Sequence, residues 1–226
     1  IPVRAVEAAQ TVSVTDSRSG AEITFSERDT VALSEGQSHT FSLTAPAAGE
    51  YWLSVCYRAI PGRQINPEAA FTLTGENIQT QQSIYFARRW VDIHTDDRFQ
   101  KDSNGNEVLP KTQEETVWQQ AVYGLSAESG SAAVTLEKGE YTLTLTLASE
   151  AVELGDVRLI SERPQSYEQY LSARKNAQSA EGAEPVRLET EVISAKSDSS
   201  IIATYDRSSP TISPNYPDTI AGEERS

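Results

Sequence analysis

Methionine is absent from this chain of 226 residues, cysteine occurs once, and histidine occurs twice. Each scarcity excludes something. A chain that opens at Ile1 and holds no methionine reads as one whose signal peptide has been removed, or as an excised fragment. The lone Cys56 can form no intrachain disulfide, and its place in an apolar strand suits a buried structural thiol. His39 and His94 stand without the partner residues that a zinc site or a Ser-His-Asp triad needs. No apolar run approaches the roughly 20 residues that span a bilayer, so no direct membrane insertion is expected. Positive charge is also scarce: 19 Lys and Arg against 33 Asp and Glu give a net charge of -14. That balance excludes nucleic acid as a partner and docking by a basic patch on anionic lipid. Among so many acids, carboxylate pairs of glycosidase type arise by chance, and no string marks one as buried. The chain is read as a non-enzyme.

What is present is alternation. Tyr51-Trp52-Leu53-Ser54-Val55-Cys56-Tyr57 places Tyr51, Leu53, Val55 and Tyr57 on one side. Tyr141-Thr142-Leu143-Thr144-Leu145-Thr146-Leu147 alternates more cleanly still, leucine against threonine. Strand side chains point to opposite faces with period 2, so both runs predict half-buried antiparallel strands. Further strand segments are Arg4 to Val14, Ala21 to Phe25, Ser38 to Thr44, Ala70 to Thr74, Thr116 to Tyr123, Ala132 to Leu136 and Glu153 to Ile160. Ile78 to Trp90 is ambiguous. Pro46-Ala47-Ala48-Gly49 and Asp102-Ser103-Asn104-Gly105-Asn106 are turns, and Lys138-Gly139 reads as a hairpin turn. Many short strands without a long helix predict an all-β jelly-roll β-sandwich over residues 1–162. Residues 163–184 read as a helix and linker: Ser166 with Gln169 forms a capping-box pattern, and Tyr167, Tyr170 and Leu171 fall at helical spacing. Pro185-Val186-Arg187-Leu188 echoes Pro2-Val3-Arg4-Ala5, so residues 185–226 read as the start of a second, truncated module or as an extended arm.

Two strings carry a family resemblance. Gly49-Glu50-Tyr51-Trp52-Leu53-Ser54-Val55-Cys56-Tyr57-Arg58 and Leu136-Glu137-Lys138-Gly139-Glu140-Tyr141-Thr142-Leu143-Thr144-Leu145 resemble strands of carbohydrate-binding modules of the family 6/35 type. A second resemblance covers more of the chain. Trp90-Val91-Asp92, Asp102 to Pro110, Gln113, Trp118, Ser166 to Leu171, Lys196-Ser197-Asp198 and Tyr205 to Pro210 are similar to the N-terminal region of large extracellular solute-binding lipoproteins. Those serve sugar ABC transporters in Gram-positive bacteria. The resemblance implies an extracellular, cell-surface-anchored protein, partnered by carbohydrate and by the rest of a solute-binding protein with its permease. The α/β ligand-binding lobes of such proteins are not in this sequence.

Modules of this shape bind sugar by stacking a ring on the pyranose face while polar groups fix the hydroxyls. The candidates are Trp90, Trp118, Tyr85 and Tyr123, with Asp92, Asn104, Asn106 and Gln113 as polar partners. The competing reading makes Trp90 and Trp118 anchors that hold a long polar stretch, Arg88 to Gln120, to the sheet. Trp52 fits core packing better than ligand contact. The resemblance further implies a structural Ca²⁺ shared by Glu7 and Asp156, and Ca²⁺ takes six to eight oxygens. Asp102 to Asn106 superficially resembles an EF-hand start, but position 12 of such a loop is Gln113 here, and a β-turn explains the string better. The expected function is that of a non-catalytic carbohydrate-binding-like module. The alternative is a ligand-free structural spacer or protein-interaction module.

Overall fold

The computed structural model describes residues 10–16, 20–93, 102–105, 108, 110–126, 132–161, 168, 171–172, 195–201, 219–220 and 223–224. The described chain is all-β apart from short helical pieces. In order its strands are β1 (Thr11–Thr15), β2 (Glu22–Ser26), β3 (Val31–Ser34), β4 (Ser38–Ala45) and β5 (Gly49–Ala59). Then come β6 (Glu68–Gly75), β7 (Ile78–Tyr85), β8 (Trp90–Ile93), β9 (Lys111–Glu114) and β10 (Gln119–Tyr123). β11 (Val134–Leu136), β12 (Gly139–Ser149), β13 (Ala151–Ile160), β14 (Thr219–Ile220) and β15 (Glu223–Glu224) complete the set. Two compact units emerge, residues 1–88 with 116–180, and residues 89–115 with 181–226.

The first unit is a jelly-roll-like β-sandwich. One sheet has the order β10-β5-β13-β3, with β11 also on β5, and the other has the order β4-β12-β6-β7. All pairings are antiparallel. The alternation in β5 and β12 does what its period requires. Leu53 and Val55 face Leu143, Leu145, Phe71 and Leu73 in one core cluster, each with no exposed surface. Burying one such aliphatic or aromatic side chain contributes about 1.5–3 kcal/mol before entropy is set against it. The other face of β5 is buried too. Cys56 packs with Val14, Ile23, Val12, Phe25 and Trp118, so the β1–β2 pair caps the sheet from outside. Gly155 makes that approach feasible at a bulge in β13, because a Cβ there would lie 2.3 Å from the Phe25 ring.

One sequence expectation needs correction, and two segments that the sequence left unassigned are strands. Lys138-Gly139 is not a hairpin turn: β11 pairs with β5, while β12 pairs with β4 and β6, so these residues carry the chain from one sheet to the other. β3 is a strand that alternation over four residues was too short to announce. The ambiguous segment after Ile78 is strand β7, whose inward side is Thr80 and Ile84 and whose outward side is polar. Within the expected helix, the described residues Glu168, Leu171 and Ser172 are helical.

The second unit contains the β8–β9 pair, with Trp90 opposite Glu114 and Ile93 opposite Lys111. Lys196 joins it: the Trp90 and Lys196 amides each donate to the other's carbonyl, at 2.8 and 2.7 Å. β14 and β15 form a further antiparallel pair.

Candidate functional site

The sugar-contact candidates separate between the two units. In the second, Trp90 is only 4% exposed, which closes its ring to stacking in this arrangement. Asp92 is used internally: Lys196 Nζ lies 2.5 Å from its Oδ1, and Thr112 Oγ1 donates to the same oxygen at 3.0 Å. The Lys196 and Asp92 side chains are 3% and 4% exposed, a buried ion pair that the sequence did not disclose. Gln113 is exposed on β9. Asn104 sits in a turn in which its amide donates to Asp102 Oδ1 and the Gly105 amide to the Asp102 carbonyl. Gly105 has φ +83°, a conformation that glycine adopts without strain. Asn106 lies outside the described residues.

In the first unit, Trp118 is half-buried, edge-on to Phe25 at 5.1 Å, with the Arg58 guanidinium 4.9 Å from its ring centroid. A cation over the ring is itself a favourable partner, so that face is occupied. Arg58 also pairs with Glu153 and lies 3.5 Å from Glu27. Tyr123 donates its hydroxyl to the Tyr85 carbonyl at 2.8 Å and packs edge-on to Phe86. Burial raises its phenol pKa, so the hydroxyl stays a donor at neutral pH. Trp52 is 8% exposed. Tyr85 differs from all of these: it is 57% exposed.

Tyr85 stands on the outer face of β4-β12-β6-β7, where the register aligns side chains in rows. Thr40, Thr144, Thr72 and Gln81 form one row, and Ser42, Thr142, Thr74 and Gln79 the next. Ser38, Thr146, Ala70 and Ser83 form the third, and Tyr85 follows Ser83 along β7 with Glu68 opposite. Of these twelve row positions nine carry a hydroxyl, two a carboxamide and one a methyl. Two hydroxyl pairs bond across β4 and β12, Ser38 with Thr146 at 2.8 Å and Thr40 with Thr144 at 3.2 Å. Sequence reading found Tyr85 but not its surroundings, because the rows join residues more than 100 positions apart.

Of the two calcium candidates, only Asp156 is among the described residues, and Glu7 lies outside them. Asp156 Oδ2 is buried without a hydrogen bond, although Arg158 Nε lies 3.3 Å away, and burial raises the carboxyl's pKa against the arginine's pull. Among the described residues no three His, Cys, Asp or Glu side chains gather to hold a metal. One carboxylate does not fit an ion that takes six to eight oxygens. Nearby Cys56 has its thiol pushed up to about 12 by burial and by Asp156, so it is protonated and inert at neutral pH.

No protein-family model matches the chain, and no curated protein matches it. Among solved structures, it is similar to the carbohydrate-binding module CBM6cm-2 from Cellvibrio mixtus lichenase 5A in complex with cellotriose. The identity is 12%, with 70% of this chain and 89% of that chain covered and a TM-score of 0.31.

Proposed function

We propose that the chain is a non-catalytic carbohydrate-binding-like module of an extracellular solute-binding lipoprotein, holding glycan for a sugar ABC importer. The transporter setting and the cell-surface location rest on the sequence resemblance. The binding half rests on Tyr85, an open aromatic ring beside three rows of a sheet face that carry mostly hydroxyls and carboxamides. A ring that offers its face beside donors and acceptors meets the two chemical demands of a pyranose, an apolar C–H face and a rim of hydroxyls.

The test is a titration of the protein with neutral oligosaccharide pools, followed by calorimetry, in calcium and in chelator. Saturable binding that Tyr85→Ala weakens roughly 5-fold is the expected result, stacking being worth about 1 kcal/mol where tenfold is about 1.4. A flat response to every pool overturns the proposal.

The spacer reading is favoured by a different observation, the burial of Trp90 and of the Asp92–Lys196 ion pair. Both roles coexist if Trp90→Ala loosens the second unit and leaves glycan affinity unchanged.

A further inference from the structure

Building on the proposed glycan-binding role, we infer that the ligand is a linear, electrically neutral oligosaccharide lying along β6 and β7, with one sugar on Tyr85 and the rest bonded by Thr72, Thr74, Gln79, Gln81 and Ser83. Charge points there first. Charged residues make up 23% of the chain, close to the share expected of a protein surface, so twelve outward positions would ordinarily hold about three. The three rows hold none. β7 is moreover an edge strand, where charge usually guards against stray pairing, and Ile78 to Tyr85 contains no charged residue. A strip without fixed charge of its own, in a chain of net charge -14, suits a neutral ligand better than an ionic one.

Hydrogen bonding points the same way. Ser38 with Thr146 and Thr40 with Thr144 pair across β4 and β12, but among the described residues the side chains of Thr72, Thr74, Gln79, Gln81 and Ser83 have no partner. Hydroxyl and carboxamide groups both donate and accept, as sugar hydroxyls do. An acidic glycan would instead call for guanidinium or ammonium groups. What bounds the strip is charge: Glu68 lies opposite Tyr85, and at the far end Glu76, Glu137, Lys138 and Glu140 line a cavity of about 200 Å³. Length supplies the last constraint. From Gln79 to Tyr85 the strand advances six residues, about 20 Å at roughly 3.4 Å each, which is several sugar rings and not one.

The experiment measures affinity for neutral di- and hexasaccharides of β-glucan, xylan and mannan, beside a hexameric oligogalacturonate. The expected result is a neutral hexasaccharide bound at least ~10-fold more tightly than its disaccharide, with no binding of the acidic hexamer. Thr72→Val combined with Gln81→Leu is expected to weaken the hexasaccharide about 10-fold, each lost hydrogen bond being worth up to about tenfold. Gln81→Glu, which keeps the strand soluble if the double variant misfolds, is expected to weaken it as well. A hexasaccharide that binds no better than the disaccharide, or that ignores these variants while Tyr85→Ala still matters, overturns the neutral strip and leaves the glycan-binding role standing. Failure of every glycan overturns both. If Tyr85→Ala changes sedimentation and not glycan affinity, the face serves contact between protein chains and the inference falls.

Discussion

Arg88 has the most demanding environment of any single residue. Its side chain is fully buried, with Nε donating to the Ile65 carbonyl at 2.6 Å, Nη1 to the Ile60 carbonyl at 2.9 Å and Nη2 to Glu150 Oε2 at 3.0 Å. Gly62 leaves room for this clamp, because a Cβ there would meet the Glu150 carboxylate. Arg88→Leu leaves Glu150 with Arg63 as its remaining cation and strands the Ile60 and Ile65 carbonyls, and is expected to cost about 3 kcal/mol in denaturant unfolding. Two carboxyls should then give stability opposite dependences on pH. The hydrogen bond from Arg63, with Arg88 behind it, holds Glu150 below its ordinary value of 4.5. Its contribution is therefore present above pH 4.5 and lost as pH falls through the lower folded value. Burial holds Asp156 above its ordinary value of 3.8, so it favours the folded state at low pH and opposes it once ionised. In calcium-free buffer, Asp156→Asn is expected to stabilise the protein at pH 7 by of order 1 kcal/mol. That advantage should shrink on acidification, which thermal unfolding at pH 7 and pH 4 measures. Neither behaviour was legible in the sequence, where Arg88 only opened a polar stretch and Glu150 was one acid among 33.

At the scale of elements, legibility followed length and period. β5 and β12 run eleven residues each with apolar positions at period 2, and both were read correctly to within a residue or two. β3 and β8 have four residues, too few for a period to emerge, and β8 and β9 find each other across a gap that no local signal bridges. The hairpin assigned to Lys138-Gly139 failed for a related reason, since turn chemistry says that the chain reverses but not which sheet receives it. How the β1–β2 pair seats on β5 and β13 is testable through Gly155. Gly155→Ala drives a methyl into the Phe25 ring and is expected to destabilise by about 1–3 kcal/mol. In a Phe25→Leu background the same change should cost less, and the coupling between the two is read from a double-mutant cycle of unfolding free energies.

On the scale of the whole molecule, the fold class was legible and the candidate site only in part. Alternation and turn spacing are local signals, and they sufficed for an all-β sandwich. Tyr85 was named as a candidate, yet the hydroxyl rows beside it exist only once strands distant in sequence come into register. Trp90 and Asp92 were read as contacts for sugar because nothing local signals that Lys196 arrives to cover them. The second unit supplies the corresponding prediction. Lys196→Met leaves the Asp92 carboxylate buried without a cation, and is expected to accelerate amide hydrogen exchange at Trp90 by orders of magnitude, a loss of about 3–5 kcal/mol. The same pairing has a consequence for the order in which the protein is made. Lys196 follows Asp92 by 104 residues, so at about 5–20 residues per second a ribosome delivers it roughly 5–20 s after its partner. For that interval the strand carrying Trp90 has emerged but its ring and carboxylate stay wet. The last strand of the sandwich, β13, ends at Ile160, so every sandwich strand is synthesised before the residue that completes the Asp92 pair.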